Sequence, residues 1–187
     1  MTRWIFAVAA LMAVGATSAN ARTASVAEAG ASIAACIEAA ASVYRLPPAV
    51  LLILLDVESG SLGQVSENTN GTVDIGPMQV NQIWLPTVAA RWHTSIQQAY
   101  RALRDDFCAN VEAGAWILRQ GIDEARGDFW EGVGYYHSHD PEYKADYLRK
   151  VLHQALRLQA EASRSAQPAR QLAAQDGSSM RARVGIQ

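Results

Sequence analysis

The chain of 187 residues places few polar side chains where they could do chemistry, and the first is Glu58. It closes the run Ala49 to Val57, in which only Asp56 is polar, and Ser59-Gly60-Ser61 follows at once. A carboxyl set where a buried helix stops meets two effects that raise its pKa. Apolar surroundings disfavour the ionised form, and the carbonyl-rich end of a helix disfavours negative charge. A glutamic acid held protonated near neutral pH can donate a proton to a leaving oxygen. The second group lies in Asp74-Ile75-Gly76-Pro77-Met78-Gln79-Val80-Asn81. Asp74 is the candidate for a second carboxylate, as glycosidases of the two-carboxylate type require; alternatively it orients the Gly76 turn through backbone hydrogen bonds. Asp56, two residues from Glu58 on a helix, points away from it and reads as a capping or buried-pair residue. Gln79 and Asn81 offer amide donors and acceptors suited to the N-acetyl and hydroxyl groups of a sugar. Trp84, Trp130, Tyr135 and Tyr136 could face sugar rings or belong to the core.

The elements that must hold these groups are mainly helical. Residues 31–44 are Ala-rich with apolar spacing and stop before Leu46-Pro47-Pro48. Proline suits a helix start, so a second, buried helix is expected from Pro48 to Glu58. Residues 60–76 are polar and Gly-punctuated. Asn70-Gly71 signals a tight turn, with Thr72-Val73 in a short hairpin arm. Residues 78–91 read as short helix or irregular structure broken by Pro86. Asp105 or Asp106 can cap a helix to about Gln120, with Gly121 near its end. Residues 129–137 form a further helix. Asp140-Pro141 opens the last one, with Tyr143, Tyr147, Leu148, Val151, Leu152 and Ala155 on one face.

The N-terminus reads as a secretory signal peptide over 1–21. Arg3 is a short basic segment, Trp4 to Ala16 is apolar for about a dozen residues, and Ala19-Asn20-Ala21 fits a cleavage site before Arg22. The competing reading is an uncleaved anchor. No lipobox cysteine lies at the cleavage point, and no later apolar run reaches spanning length. The mature chain suits one domain over 22–158 with a real core. Loss of Arg3 leaves one basic residue fewer than the chain's 16, against 18 acidic ones. That balance is no footprint for nucleic acid. Cys36 and Cys108, an even pair in an exported chain, should form a disulfide that contributes about 4 kcal/mol on the chain-entropy view. Two free thiols or a metal pair are the alternatives, the latter lacking a His at ligand spacing. No cofactor or metal is expected; His137 and His139 lack a third ligand nearby and read as surface histidines. Residues 159–187, rich in Ala, Ser, Gln and Arg, read as a disordered basic tail.

Four segments then stand in order: Glu58-Ser59; Gly76-x-Met78-Gln79 with Asn81; Asn110-Val111-x-x-Gly114-x-x-Ile117-Leu118; and Gly132-Val133-Gly134-Tyr135-Tyr136-His137-Ser138. Their order and spacing resemble the family 1 lytic transglycosylases, the soluble lytic transglycosylase catalytic domain. The resemblance covers about residues 31–156. The small, exported subgroup tied to secretion, conjugation and pilus systems is similar in the placement of Cys36 and Cys108 as well. His137 stands where the family usually carries Asn, as in secretion-associated members, and Pro77 where Leu or Ile is common.

The resemblance implies a mainly α, lysozyme-like (α+β) domain with a small β-hairpin arm beside the active-site cleft. It implies cleavage of the N-acetylmuramic acid–N-acetylglucosamine bond of peptidoglycan, with Glu58 as acid and then base and a 1,6-anhydro product. Ser59, Met78, Gln79, Asn81 and Tyr136 would hold sugar or position Glu58. The partners implied are glycan strands and components of a secretion or conjugation machine; the signal peptide implies a periplasmic location with no stable membrane anchor after cleavage, and a monomer is expected. Asp74-x-Gly76-x-x-Gln79 also looks like the corresponding segment of animal-type lysozymes. In that reading Asp74 is the second carboxylate and water the acceptor. A non-catalytic wall-binding or assembly protein that kept the cleft is the third reading.

Overall fold

The computed structural model describes the backbone of residues 16–184 and the side chains of residues 28–167. Most of the expected signal peptide lies outside the described residues. The chain divides between Ala35 and Cys36. Helix α1 (Ala16–Tyr44) supplies the described part of the first unit. The second unit carries its last residues and every later element.

In the second unit α2 (Pro48–Glu58) starts with Pro in its first turn, as the fixed φ of proline favours. It buries Leu51 and Leu54 completely. A three-stranded antiparallel sheet comes next: β1 (Val65–Glu67), β2 (Val73–Ile75) and β3 (Val80–Asn81), in that order. The hairpin turn lies at Asn68–Gly71, where Gly71 has φ +80°. The register sets Ser66 and then Asn81 opposite Asp74, so the three share a face. The sequence foresaw the hairpin but not its third strand.

A 3-10 turn over Gln82–Trp84 leads into α3 (Leu85–Arg91). Pro86 therefore opens a helix where it was expected to break one, since its missing N–H is free anyway in a first turn. Helix α4 (Ile96–Asp105) was not foreseen, although Ser95 and Gln98 form a capping box at its start. Asp106 caps α5 (Phe107–Glu124) through Ala109 N. This helix runs past Gly121, which sits inside it, so close to Gly132 that a Cβ would lie 2.8 Å from the Gly132 carbonyl oxygen. Gly121 is a packing glycine and not an end signal. Helix α6 spans Phe129–His137, as expected, and α7 spans Pro141–Val184.

On α7 Tyr147, Val151 and Gln154 are buried and Leu148 packs against the core, whereas Tyr143 and Leu152 are exposed. This face is narrower than the one read from the sequence. The helix also continues through residues 159–184, where composition suggested disorder. Ala, Gln and Arg are good helix formers; side chains as far as Gln167 are exposed.

The core gathers Leu51, Leu54, Met78, Leu103, Leu118, Val133 and Val151, among others. Cys36 and Cys108 form a disulfide, with Cα atoms 5.1 Å apart, that ties α1 to α5. Tyr44, Arg91 and Glu112 bond one another in a second tie between α1, α3 and α5, completed by Trp92 Nε1 donating to Glu112 at 2.9 Å. The result is a mainly α, lysozyme-like fold with a small sheet beside a cleft. No single described helix is long and apolar enough to cross a membrane.

Candidate active site

Glu58 is the last residue of α2. Ser59 turns into the left-handed region, φ +52°, and its N–H closes on Leu55 O. Gly60 then passes so close to the hairpin that a Cβ there would overlap the Gly76 carbonyl oxygen and lie 2.7 Å from Gln79 Nε2. Only glycine allows this approach, and it brings Glu58 beside the β2–β3 turn.

That turn is held from beneath by Asn110 of α5, fully buried. Its Nδ2 donates to Ile75 O at 2.9 Å and Leu103 O at 2.8 Å, and its Oδ1 accepts from Met78 N at 2.7 Å. Gly76, at φ +71°, has no room for a side chain against Leu103 O and Asn110. The Met78 side chain is wholly buried over Gly114, where a Cβ would sit 2.7 Å from its Cε. Met78 O accepts from Tyr136 OH at 2.8 Å. Met78 thus lies under the cleft as a lock between turn, α5 and α6, and its side chain does not line it.

Above the lock a cleft of about 620 Å³ opens. Glu58, Asp74, Gln79, Asn81 and Tyr136 all line it. Ser59 does not: it is exposed, its Oγ donates to Asp56 O at 2.6 Å, and it faces a different groove. Of the aromatics read as sugar platforms, Trp84 and Tyr136 border the cleft. Trp130 packs edge-on to Phe129, and Tyr135 stacks on His139 at 4.3 Å, away from it. Tyr143 and His137 line it as well; the sequence had placed Tyr143 on the core face of the last helix and His137 on the surface.

Tyr147 is the site residue that the sequence did not single out. It is 2% exposed and donates its hydroxyl to Glu58 Oε1 at 2.6 Å. His137 stacks flat on its ring at 4.7 Å. A buried tyrosine hydroxyl seeks a partner, and that was the available signal. Burial and the nearby Glu58 charge push the Tyr147 pKa far up, so it keeps its proton.

Burial also pushes the Glu58 carboxyl up, from 4.5 to about 7. The Tyr147 hydrogen bond opposes this, Asp74 adds to it by repulsion, and Lys150 opposes it. Asp74 has a different setting. Asn68 Nδ2 donates to its Oδ2 at 2.9 Å and Asn81 Nδ2 to its Oδ1 at 2.7 Å. Side-chain amides hold it, not the backbone groups of the Gly76 turn. Asp56 pairs with Arg157 at 2.6 Å on the surface. No cluster of metal-ligand residues occurs among the described residues.

The arrangement therefore offers one carboxyl that exchanges a proton near neutrality and one carboxylate held by amides, in a groove bordered by amides and aromatic rings. The family model described as the transglycosylase SLT domain matches residues 35–144. The match includes Glu58, the whole hairpin, Asn110 and Tyr136, and stops before Tyr147. No curated protein matches the chain.

Proposed function

The chain belongs to the transglycosylase SLT domain family, whose match spans more than half of it, and from that premise we propose how its cleft cuts the wall polymer. Its substrate class is peptidoglycan, and it acts outside the cytoplasm. The reaction is a non-hydrolytic cleavage of the bond between N-acetylmuramic acid and N-acetylglucosamine, with Glu58 as its sole acid/base.

Tyr147 occupies Glu58 Oε1, which leaves Oε2 to carry the proton. Glu58 passes that proton to the glycosidic oxygen, the C1–O bond breaks, and the departing sugar leaves with a free hydroxyl. The acetamido group of the substrate assists departure. Glu58, now a carboxylate, takes the proton of the muramyl C6 hydroxyl as O6 bonds to C1. Glu58 ends protonated as it began, and no water is consumed. This is a substrate-assisted departure from the two-carboxylate scheme.

The observation that carries the reading is the Glu58 carboxyl, with a pKa of about 7 and facing the sugar-sized cleft. Such a group is suited to act as acid in one step and base in the next. Gln79 and Asn81 border the cleft where sugar substituents would lie, and Trp84 and Tyr136 supply ring faces. Ser59 and Met78 act through position alone. The presence of Asp74 in the same cleft favours one alternative, a hydrolase in which Asp74 is the second carboxylate. Against it, both Asp74 oxygens are already bonded by amides.

Mass spectrometry of peptidoglycan digested by the purified protein tests this. Anhydro-muramyl ends support the transglycosylase and reducing ends the hydrolase. Wall binding without soluble product leaves the assembly role. We also read the protein as an exported enzyme that opens the wall locally for a secretion or conjugation machine. N-terminal sequencing of the mature protein should then begin at Arg22, and deletion of the gene should impair that machine without stopping growth.

A further inference from the structure

Of the exposed large apolar side chains among the described residues, only Tyr143 lines the catalytic cleft. It is 63% exposed. The other rings of the cleft are already engaged. Trp84 meets Trp116 edge-on at 5.5 Å, the Tyr136 hydroxyl donates to Met78 O, and His137 lies flat on Tyr147. Among the described residues the Tyr143 ring stacks on nothing, and its hydroxyl makes no hydrogen bond. The fold nevertheless fixes where this ring stands. Asp140 caps α7: its Oδ1 accepts from Glu142 N at 2.9 Å and Tyr143 N at 3.2 Å, and its carbonyl from Lys144 N at 2.9 Å. Lys144, next in the chain, is tied to Glu131 of α6. Tyr143 precedes Tyr147 by four residues, so the two share a face of the helix with Cβ atoms about 5–6 Å apart. Tyr147 is buried against Glu58. Tyr143 therefore stands one helical turn outward from the residue that touches the acid.

A free aromatic face in a groove bordered by amides fits a sugar ring. The faces of a β-linked N-acetylhexosamine carry axial C–H groups, whose positive edge suits the negative face of a phenol. We infer that Tyr143 is a sugar platform that sets how much glycan the cleft grips: its ring stacks on the N-acetylhexosamine next to the pair joined by the bond that breaks. This rests on the transglycosylase reading of the cleft.

The test measures kcat/KM of the full protein on a tetrasaccharide and on two trisaccharides. In the tetrasaccharide the central N-acetylmuramic acid–N-acetylglucosamine bond has a neighbouring sugar on each side, and each trisaccharide lacks one neighbour. Tyr143→Ala should lose roughly tenfold on the tetrasaccharide, the scale of one aromatic contact, with the loss falling in KM. On one trisaccharide that loss should vanish, because the ring has nothing to stack on, and on the other it should remain. Tyr143→Leu keeps apolar bulk without a flat face and should behave as Tyr143→Ala, whereas Tyr143→Phe keeps the ring and should lose under twofold. The pH limb set by Glu58 should stay where it is in all three variants. No loss on the tetrasaccharide, equal losses on all three substrates, or a moved limb overturns the platform and leaves the lyase standing. If no substrate yields anhydro ends, the lyase reading falls. The platform is then judged by calorimetry of the tetrasaccharide with Glu58→Gln: binding roughly tenfold weaker when Tyr143→Ala is added upholds it, and equal binding overturns it.

Discussion

Glu58 and Asp74 line one cleft, yet their surroundings treat a carboxyl in opposite ways. Around Glu58 the partners are the end of an apolar helix and one tyrosine hydroxyl. Burial dominates there and the neutral form is favoured up to about pH 7. Around Asp74 two asparagine amides each donate to one oxygen, so both oxygens are engaged as acceptors. The first group is left with a proton to exchange and the second is tied down by hydrogen bonds. What differs is the number of donors that the fold aims at each group, and that number derives from strand register: Asn81 sits opposite Asp74 across β2 and β3.

The largest way to break the comparison is Glu58→Gln. The amide keeps the shape and the contact with Tyr147 but has no proton to give. Product release from peptidoglycan should fall by roughly 10³-fold, within the range for a lost general acid, while the folded spectrum is unchanged. Cleavage at the parental rate would remove Glu58 from the mechanism.

Next comes the support shared by both groups. Asn110→Ala strips partners from Ile75 O, Leu103 O and Met78 N, all inside the protein. A loss of about 3 kcal/mol is expected in urea unfolding, from unsatisfied buried groups and a small cavity. Loss of under about 1 kcal/mol, the size of an ordinary surface change, would mean the turn is held otherwise.

Glu58 should also leave a mark on stability. Its folded pKa lies above the unfolded value of 4.5, so the native state binds the proton more tightly. Its contribution is full below about pH 4.5, declines as pH rises toward 7, and stays low above that. The whole change is about 3 kcal/mol by linkage. Glu58→Gln should be more stable than the parent at pH 8 by about that amount, with the gap closing at pH 4.5. A gap independent of pH would show that the carboxyl titrates normally.

Much of this was legible from the chain. The apolar run ending at Glu58 and the Asp140-Pro141 start of α7 are local signals, and local signals survive folding. Ser95-x-x-Gln98 was equally local and would have given α4. Other features are not local. Tyr147 meets Glu58 across 89 positions of sequence, and no periodicity tells an inward tyrosine from a core residue. Motif membership left open, at Met78 and Ser59, whether the residue touches sugar or supports the cleft. A motif marks what a cleft needs, and Met78 serves by packing on Gly114 while Ser59 serves by ending a helix. Neither role has a residue pattern distinct from substrate contact.

The smallest effects sharpen the comparison most, because two substitutions should move one pKa in opposite directions. Tyr147→Phe removes the hydrogen bond that favours the ionised Glu58, so its pKa should rise. Asp74→Asn removes a repelling charge, so it should fall. The first step needs protonated Glu58, and kcat/KM should decline as pH rises through the Glu58 pKa. The declining limb should therefore move to higher pH in Tyr147→Phe and to lower pH in Asp74→Asn. For the one-carboxylate mechanism the Asp74→Asn rate at the new optimum should stay within about tenfold of the parent, since only a stabilising charge is lost. A drop of about 10³-fold or more would instead make Asp74 a direct participant, as expected for loss of a nucleophile or base. Limbs that move together would mean that Asp74 and Tyr147 act on the substrate and not through Glu58.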